Sequence, residues 1–114
     1  MKLTPGEIVD RYSIARLKFQ RLPETEANRA HLEACQSALP ARAPTKLVQD
    51  LIAVNTRIWD LEAGLQDPVL ELDEVGRRAL DIRRHNSHRV ELKNKINVEL
   101  GHPQEVKNYA AKPR

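Results

Sequence analysis

Thr45-Lys46-Leu47-Val48-Gln49-Asp50-Leu51-Ile52-Ala53-Val54-Asn55-Thr56-Arg57-Ile58-Trp59-Asp60-Leu61-Glu62-Ala63-Gly64-Leu65 is the stretch that decides the fold. Leu47, Leu51, Val54, Ile58, Leu61 and Leu65 recur at alternating spacings of four and three, which keeps them on one side of an α-helix. Val48, Ile52 and Trp59 widen the stripe. Asn55 and Glu62 fall inside it, about 40° and 20° from Leu51 at roughly 100° per residue. An amide and a carboxylate on an apolar face need partners, because buried unpaired charge is costly. Thr45 reads as the N-cap, the helix reaches Leu65 or Gln66, and Gln66-Asp67-Pro68 ends it.

A second stripe lies downstream. Val75, Ala79, Ile82, Val90, Leu92, Ile96 and Leu100 form it, with Asn86, Arg89 and Lys93 near its centre and Asn97 farther out. Asp73 predicts the cap, Glu74 sits favourably in the first turn, and Gly101 followed by Pro103 predicts the end. Upstream, Thr4-Pro5-Gly6-Glu7 reads as a capping box with proline at the first helical position. That helix runs to about Leu22, with Ile8, Tyr12, Ala15, Phe19 and Leu22 on one face and Ile14 and Leu17 on another, so it can touch two partners. A shorter helix follows from about Glu24 to Leu39, its stripe Leu32, Cys35 and Leu39, with alanines at 27, 30, 34 and 38. Pro40-Ala41-Arg42-Ala43-Pro44 is a connector. No strand pattern or internal repeat occurs. The reading is all-α: an antiparallel bundle of about four helices with a long C-terminal helix, one domain over 1–101 and a tail over 102–114.

The bulk composition agrees. The chain has 114 residues, enough for one core, and only 4% are aromatic, so the core must be aliphatic, which suits helix packing. A lone cysteine, Cys35, excludes a disulfide-built scaffold and is expected to pack as a small apolar residue. No apolar run approaches the ~20 residues that span a bilayer. Met1-Lys2-Leu3-Thr4-Pro5 leads straight into a polar helix start rather than a signal peptide, so the expected location is cytoplasmic. Charge is lopsided: ten of the 19 Lys/Arg but only four of the 16 Asp/Glu follow residue 76. This predicts either an anion-binding end or two faces of a dimer that attract. The short second helix leaves apolar surface to bury, which points to a homodimer.

Glu62 is the candidate catalytic residue. Buried, it would either form a structural ion pair with Arg89 or Lys93, or act as a general base with a raised pKa. Arg89 and Lys93 could alternatively hold a phosphate or carboxylate. Arg11 and Lys18 flank the first helix's stripe, and Asp10 can pair with a basic residue of the last helix. Asp10, Arg11, Lys18, Asn55, Trp59, Glu62, Asn86, Arg89 and Lys93 are thus the candidate ligand-binding set. His85 and His88 share a helix side, but Arg84 and Arg89 beside them disfavour a metal, and none is expected. No cofactor fingerprint, Walker-type loop or Ser-His-Asp arrangement occurs. Nucleic-acid binding through the arginines of the last helix ranks low, because stacking aromatics are missing there.

These residues also carry a resemblance. Thr4-Pro5-Gly6-Glu7-Ile8-Val9-Asp10-Arg11-Tyr12-Ser13-Ile14, then Lys18, resembles the opening "SPGE-(I/L)-x-D-K-x-(S/T)-I…K" of an uncharacterised family of short bacterial all-helical proteins. Asn55-Thr56-Arg57-Ile58-Trp59-Asp60-Leu61-Glu62 resembles its "N-x-x-(L/I)-W-x-(I/L)-E". Asn86, Arg89, Leu92-Lys93 and Ile96-Asn97 resemble its "N-x-x-R-x-x-L-K-x-x-I-N", and Lys107-Asn108-Tyr109 a closing "K-x-Y". The resemblance implies a domain of unknown function, with some members encoded beside surface polysaccharide or glycosyl-transfer systems. Arg16 stands where the pattern implies an acid. Two function classes follow. One is a non-enzymatic interaction or accessory protein, as a homodimer or with a protein partner, whose inner polar residues set helix register. The other is a small enzyme or binding protein for a sugar phosphate or nucleotide-sugar, held by Arg11, Lys18, Arg89 and Lys93. Complete pairing of the inner charges would favour the first; spare cations beside a cavity would favour the second.

Overall fold

A computed structural model of the chain describes residues 3–102. Among these, four α-helices and no strand occur: α1 Pro5–Arg21, α2 Glu26–Ser37, α3 Thr45–Gly64 and α4 Leu72–Glu99. The all-α bundle with a long last helix is therefore as the periodicity requires. None of these helices is long and apolar enough to cross a membrane. The closing "K-x-Y" at Lys107-Asn108-Tyr109 and most of the predicted tail lie outside the described residues.

The helix ends follow local chemistry. Thr4 is extended and its Oγ1 accepts the Glu7 N–H at 3.2 Å, with Pro5 at the first helical position. The reciprocal half of the predicted capping box is not made, because the Glu7 carboxylate turns instead to Lys93 of α4. Thr25 caps α2 by accepting from the Asn28 N–H at 3.1 Å, so the helix starts after the predicted Glu24. Two predicted caps are corrected. Thr45 is the first residue of α3, with extended Pro44 before it supplying the carbonyl for Val48 N–H. Asp73 lies inside the first turn of α4, beside Glu74, with Glu71 ahead of the helix. Neither Pro44 nor Glu71 makes a side-chain cap bond; two carboxylates at the positive end of α4 favour its start in another way. Gly101, at φ +76°, closes α4. Gly101 N–H donates to Val98 and His102 N–H to Asn97, a Schellman arrangement that only a residue tolerant of the left-handed region completes without strain.

Helices α1, α3 and α4 pack on one another, whereas α2 packs on α1 alone. Asp10 and Ser13 meet Asn55 while Arg21 reaches Asp60, so α1 and α3 run in the same sense. Gly6 meets Asn97 while Asp10 meets Arg89, so α4 opposes α1. Val9, Leu51, Val54, Leu92 and Ile96 form the centre of the core, bordered by Leu39, Ala43, Leu47, Val48 and Leu100. Ile58 and Leu61 continue the buried row of α3 as its spacing predicts.

α1 packs on different helices through its different sides, as its two apolar sides predict. Val9, Asp10, Ser13 and Leu17 are buried. The Ile8–Phe19 side turns to α2: Ile8 shares a groove with Ala34, Cys35 and Ala38, and the Arg29 guanidinium lies 5.6 Å from the Phe19 ring centroid. Periodicity identifies the side turned to α2 and Leu17, but not Val9, Asp10 and Ser13 of the inner face. No residue of α2 is buried, so it shields α1 without contributing to the central core.

One glycine sets how closely α1 approaches α4. A Cβ at Gly6 would lie 2.4 Å from the Lys93 carbonyl oxygen and 3.0 Å from Lys93 Cα. That neighbour is helical backbone and cannot swing aside. Overpacking costs about 1–3 kcal/mol, more than the roughly 1 kcal/mol that alanine gains over glycine within a helix. Gly6→Ala is expected to lower the urea midpoint; a midpoint at or above the native value would show that this close approach is not made.

Candidate functional site

The polar residues inside the stripes meet across three helices. Asp10, only 3% exposed, projects from α1 between α3 and α4. Arg89 clasps it with two bonds, Nε to Oδ1 at 2.9 Å and Nη2 to Oδ2 at 2.6 Å. Asn55 of α3 donates from Nδ2 to the same Oδ1 at 2.9 Å and to Ser13 Oγ at 2.7 Å. Arg89 Nη1 donates at 3.5 Å to Asn86 Oδ1, one turn back on α4. The forked guanidinium matches a carboxylate in shape, and charge assistance strengthens both bonds. The Asp10 hydrogen bond raises the pKa of Arg89 above its already high ordinary value, opposed by burial and helped by the charges of Asp10, Glu7 and Glu62. The guanidinium is held charged.

A second ionic rung, Glu7 to Lys93, lies one turn nearer the N-terminus of α1. Beyond it the fully buried Asn97 accepts the Gly6 N–H through Oδ1 at 2.7 Å. Its Nδ2 finds no hydrogen-bond partner. Turning the amide over would set its NH2 against the Gly6 N–H, donor against donor, so the Gly6 bond fixes its orientation.

The structure thus joins Asp10, Asn55, Asn86, Arg89 and Lys93 of the sequence-predicted set and separates the rest. Arg11 and Lys18 are exposed on α1, and Trp59 is half-buried. Glu62 is exposed beside Trp59, Ala63 and Gln66, and forms no ion pair with Arg89 or Lys93. The expectation of a buried Glu62 is therefore corrected. Both cations are already taken by α1 carboxylates, Arg89 by Asp10 and Lys93 by Glu7. Sequence reading missed Glu7 as a bridge, Ser13 as an acceptor and Gly6 as the point of contact. A signal was present: acids at 7 and 10 and cations at 89 and 93 have matching one-turn spacings, as two rungs between antiparallel helices require.

A different arrangement occupies the outer groove between α3 and α4. A hollow of about 390 Å3 is lined by Arg57, Asp60, Leu61, Glu74, Arg77, Arg78 and Asp81. Glu74 accepts from Arg77 at 2.8 Å and 3.1 Å and from Arg78 at 3.0 Å. Asp81 faces Arg84 at 3.0 Å, Arg57 at 3.6 Å and His85 at 3.7 Å. The Arg77 hydrogen bond, with the charges of Arg77 and Arg78, holds the Glu74 carboxyl below the usual glutamate range against a smaller effect of burial. Among the described residues, no group of three or more His, Cys, Asp or Glu converges to hold a metal. No protein-family model, curated protein or solved structure matches the chain.

Asp10→Ala strands the Arg89 guanidinium and removes one acceptor from Asn55, and is expected to cost about 3 kcal/mol in denaturant unfolding. A double-mutant cycle with Arg89→Met should return a coupling of about 2 kcal/mol; a value near zero would mean the clasp is not formed. Glu62→Ala, by contrast, should change stability by no more than about 0.5 kcal/mol. For Glu74 the folded pKa is depressed, so its favourable contribution is present above the unfolded value and fades as pH falls through the folded one. Arg77→Gln should move the Glu74 NMR titration midpoint upward; an unchanged midpoint would remove Arg77 as the cause.

Proposed function

We propose that this chain is a non-enzymatic helical interaction protein, whose inner polar residues fix how three helices align rather than process a substrate. The single observation that carries this is pairing. Asp10 neutralises Arg89, Glu7 neutralises Lys93, and the Asn55 amide donates to both Asp10 and the Ser13 hydroxyl. Neither of the two central cations required for an anionic ligand is spare. Both oxygens of the buried Asp10 carboxylate already accept from Arg89, so neither is turned toward a substrate. Glu62, the other acid considered, is exposed beside Trp59, Ala63 and Gln66 and forms no ion pair with either central cation.

In this reading the functional surfaces are outer helix faces, and the partners are proteins, including a second copy of the chain. The resemblance to bacterial helical proteins supports seeking those partners among surface polysaccharide or glycosyl-transfer systems. Thermal-shift titration with sugar phosphates and nucleotide-sugars tests the reading. Ligands that bind the native state raise its melting temperature by mass action. No saturable shift is expected from either class. A saturable shift that Arg89→Gln or Lys93→Gln abolishes would overturn the proposal in favour of a ligand-binding protein.

A further inference from the structure

The three most exposed large apolar residues among those described are Leu72 at 85%, Val69 at 83% and Leu80 at 58%. All three belong to the start of α4 or to the turn before it. Leu72, Gly76 and Leu80 follow one another at a spacing of four and form a single row. Arg78, Asp81 and His85 turn to α3, where Arg78 crowds Gly64, Asp81 faces Arg57 and His85 lines a hollow with Val54. At roughly 100° per residue the row lies about half a turn from those three, on the opposite side of α4. α1 meets α4 farther along, at Arg89, Lys93 and Asn97, and α2 touches neither α3 nor α4. Among the described residues nothing covers the row.

Gly76, at the centre of the row, has no neighbour within the chain to account for it. In the body of a helix glycine is less favourable than alanine, because it loses more freedom on folding. The other glycines inside helices each have a contact: Gly6 meets the Lys93 backbone and Gly64 the Arg78 guanidinium. A Cβ at Gly76 would meet nothing within 4 Å. A second helix crossing there would account for it, since the side chains at a crossing set how closely two axes approach.

The row also fits a second copy of itself. When two helices cross antiparallel about a two-fold axis, facing residues lie equally far before and after the residue on the axis. With Gly76 on the axis, Leu72 and Leu80 are each four residues away, so Leu72 of one copy faces Leu80 of the other. Asp73 and Ala79 are each three away and face one another. The partner's helix then passes over the turn that carries Val69. The partner's Arg83 lies four residues beyond the point that faces Asp73, about 6 Å at the 1.5 Å rise of a helix, within reach of its long side chain. Within one chain neither the Asp73 nor the Arg83 side chain forms an ion pair or hydrogen bond among the described residues. A parallel alignment would set Asp73 on Asp73 and Arg83 on Arg83.

We propose that the outer face of α4 around Gly76 is a two-fold antiparallel interface between two copies of this chain. It covers Val69, Leu72 and Leu80 and pairs Asp73 of each copy with Arg83 of the other. This names a partner for the interaction reading above and rests on it only in expecting the chain to associate. Because the contact is isologous, it closes at two copies rather than growing into a chain.

Sedimentation equilibrium of the full chain across micromolar concentrations tests this, with circular dichroism confirming helicity of every variant. The native chain should sediment at twice its 13.0 kDa mass. Gly76→Leu fills open space in the single chain and suits a helix better than glycine does. It should therefore keep the fold while overfilling the crossing and weakening association by about tenfold or more. Arg83→Asp brings an acid toward the partner's Asp73 and should weaken association by about threefold or more. Adding Asp73→Arg exchanges the two charges and should restore the dimer. A native chain that stays monomeric, a dimer indifferent to Gly76→Leu, or failure of the charge exchange to restore association would each overturn the proposal. None of these results bears on the ligand titration above, so the two readings fail separately.

Discussion

Taking the Asp10 carboxylate out of water is the constraint around which the bundle is arranged. At 3% exposure the group cannot be solvated, and its ionised form is tolerable only where donors converge. Three donor atoms do so, two from Arg89 and one from Asn55, and they come from two different helices. Because the guanidinium fork is planar and the amide is short, the geometry leaves little room for α1 to rotate or slide. A register shift of one residue would rotate Asp10 by roughly 100° away from both partners. The apolar contacts of Val9, Leu51, Val54, Leu92 and Ile96 are non-directional, whereas the bonds of the clasp are directional.

The same constraint explains which parts of the fold were legible in the sequence. The stripe of α3 is nearly uninterrupted, so Leu51, Val54, Ile58 and Leu61 announce themselves as core. The start of α1 is equally plain, since Thr4, Pro5 and Glu7 satisfy a local pattern. In α1 itself the Ile8–Phe19 stripe turned to α2. The true inner face carries Asp10 and Ser13, which hydropathy scores as surface. A face whose polarity is cancelled by groups eighty residues away cannot be recognised from its own composition. Caps failed for a related reason: Thr45 and Asp73 suit the cap position chemically, yet Pro44 and Glu71 were already extended ahead of them.

The candidate site was legible as a set and illegible as a pairing. Periodicity placed Asn55, Asn86, Arg89 and Lys93 on inner faces, and the structure brings them together with Asp10. It could not say which acid answers which cation. Glu62 lies closer to the centre of its stripe than Asn55 does, and a wheel diagram favours it. A wheel has no third helix on it, however. Once α1 enters with Glu7 and Asp10 one turn apart, the cations are satisfied, and Glu62 is left facing water.

The clasp and the Gly6 contact join residues separated by 79 and 91 positions, whereas α1–α2 and α3–α4 are neighbours along the chain. On a ribosome, the first pair of helices therefore emerges long before anything exists to receive Asp10 or Val9. Until α4 has been released, the nascent chain holds an ionised carboxylate in water and an uncovered aliphatic face beside it. Contacts between the two ends of a sequence carry the largest loop-closure cost and are the last to reward it. Keeping a charge on that early face makes it a poor surface for premature collapse, so the residue that later locks the bundle also guards the wait for its partner.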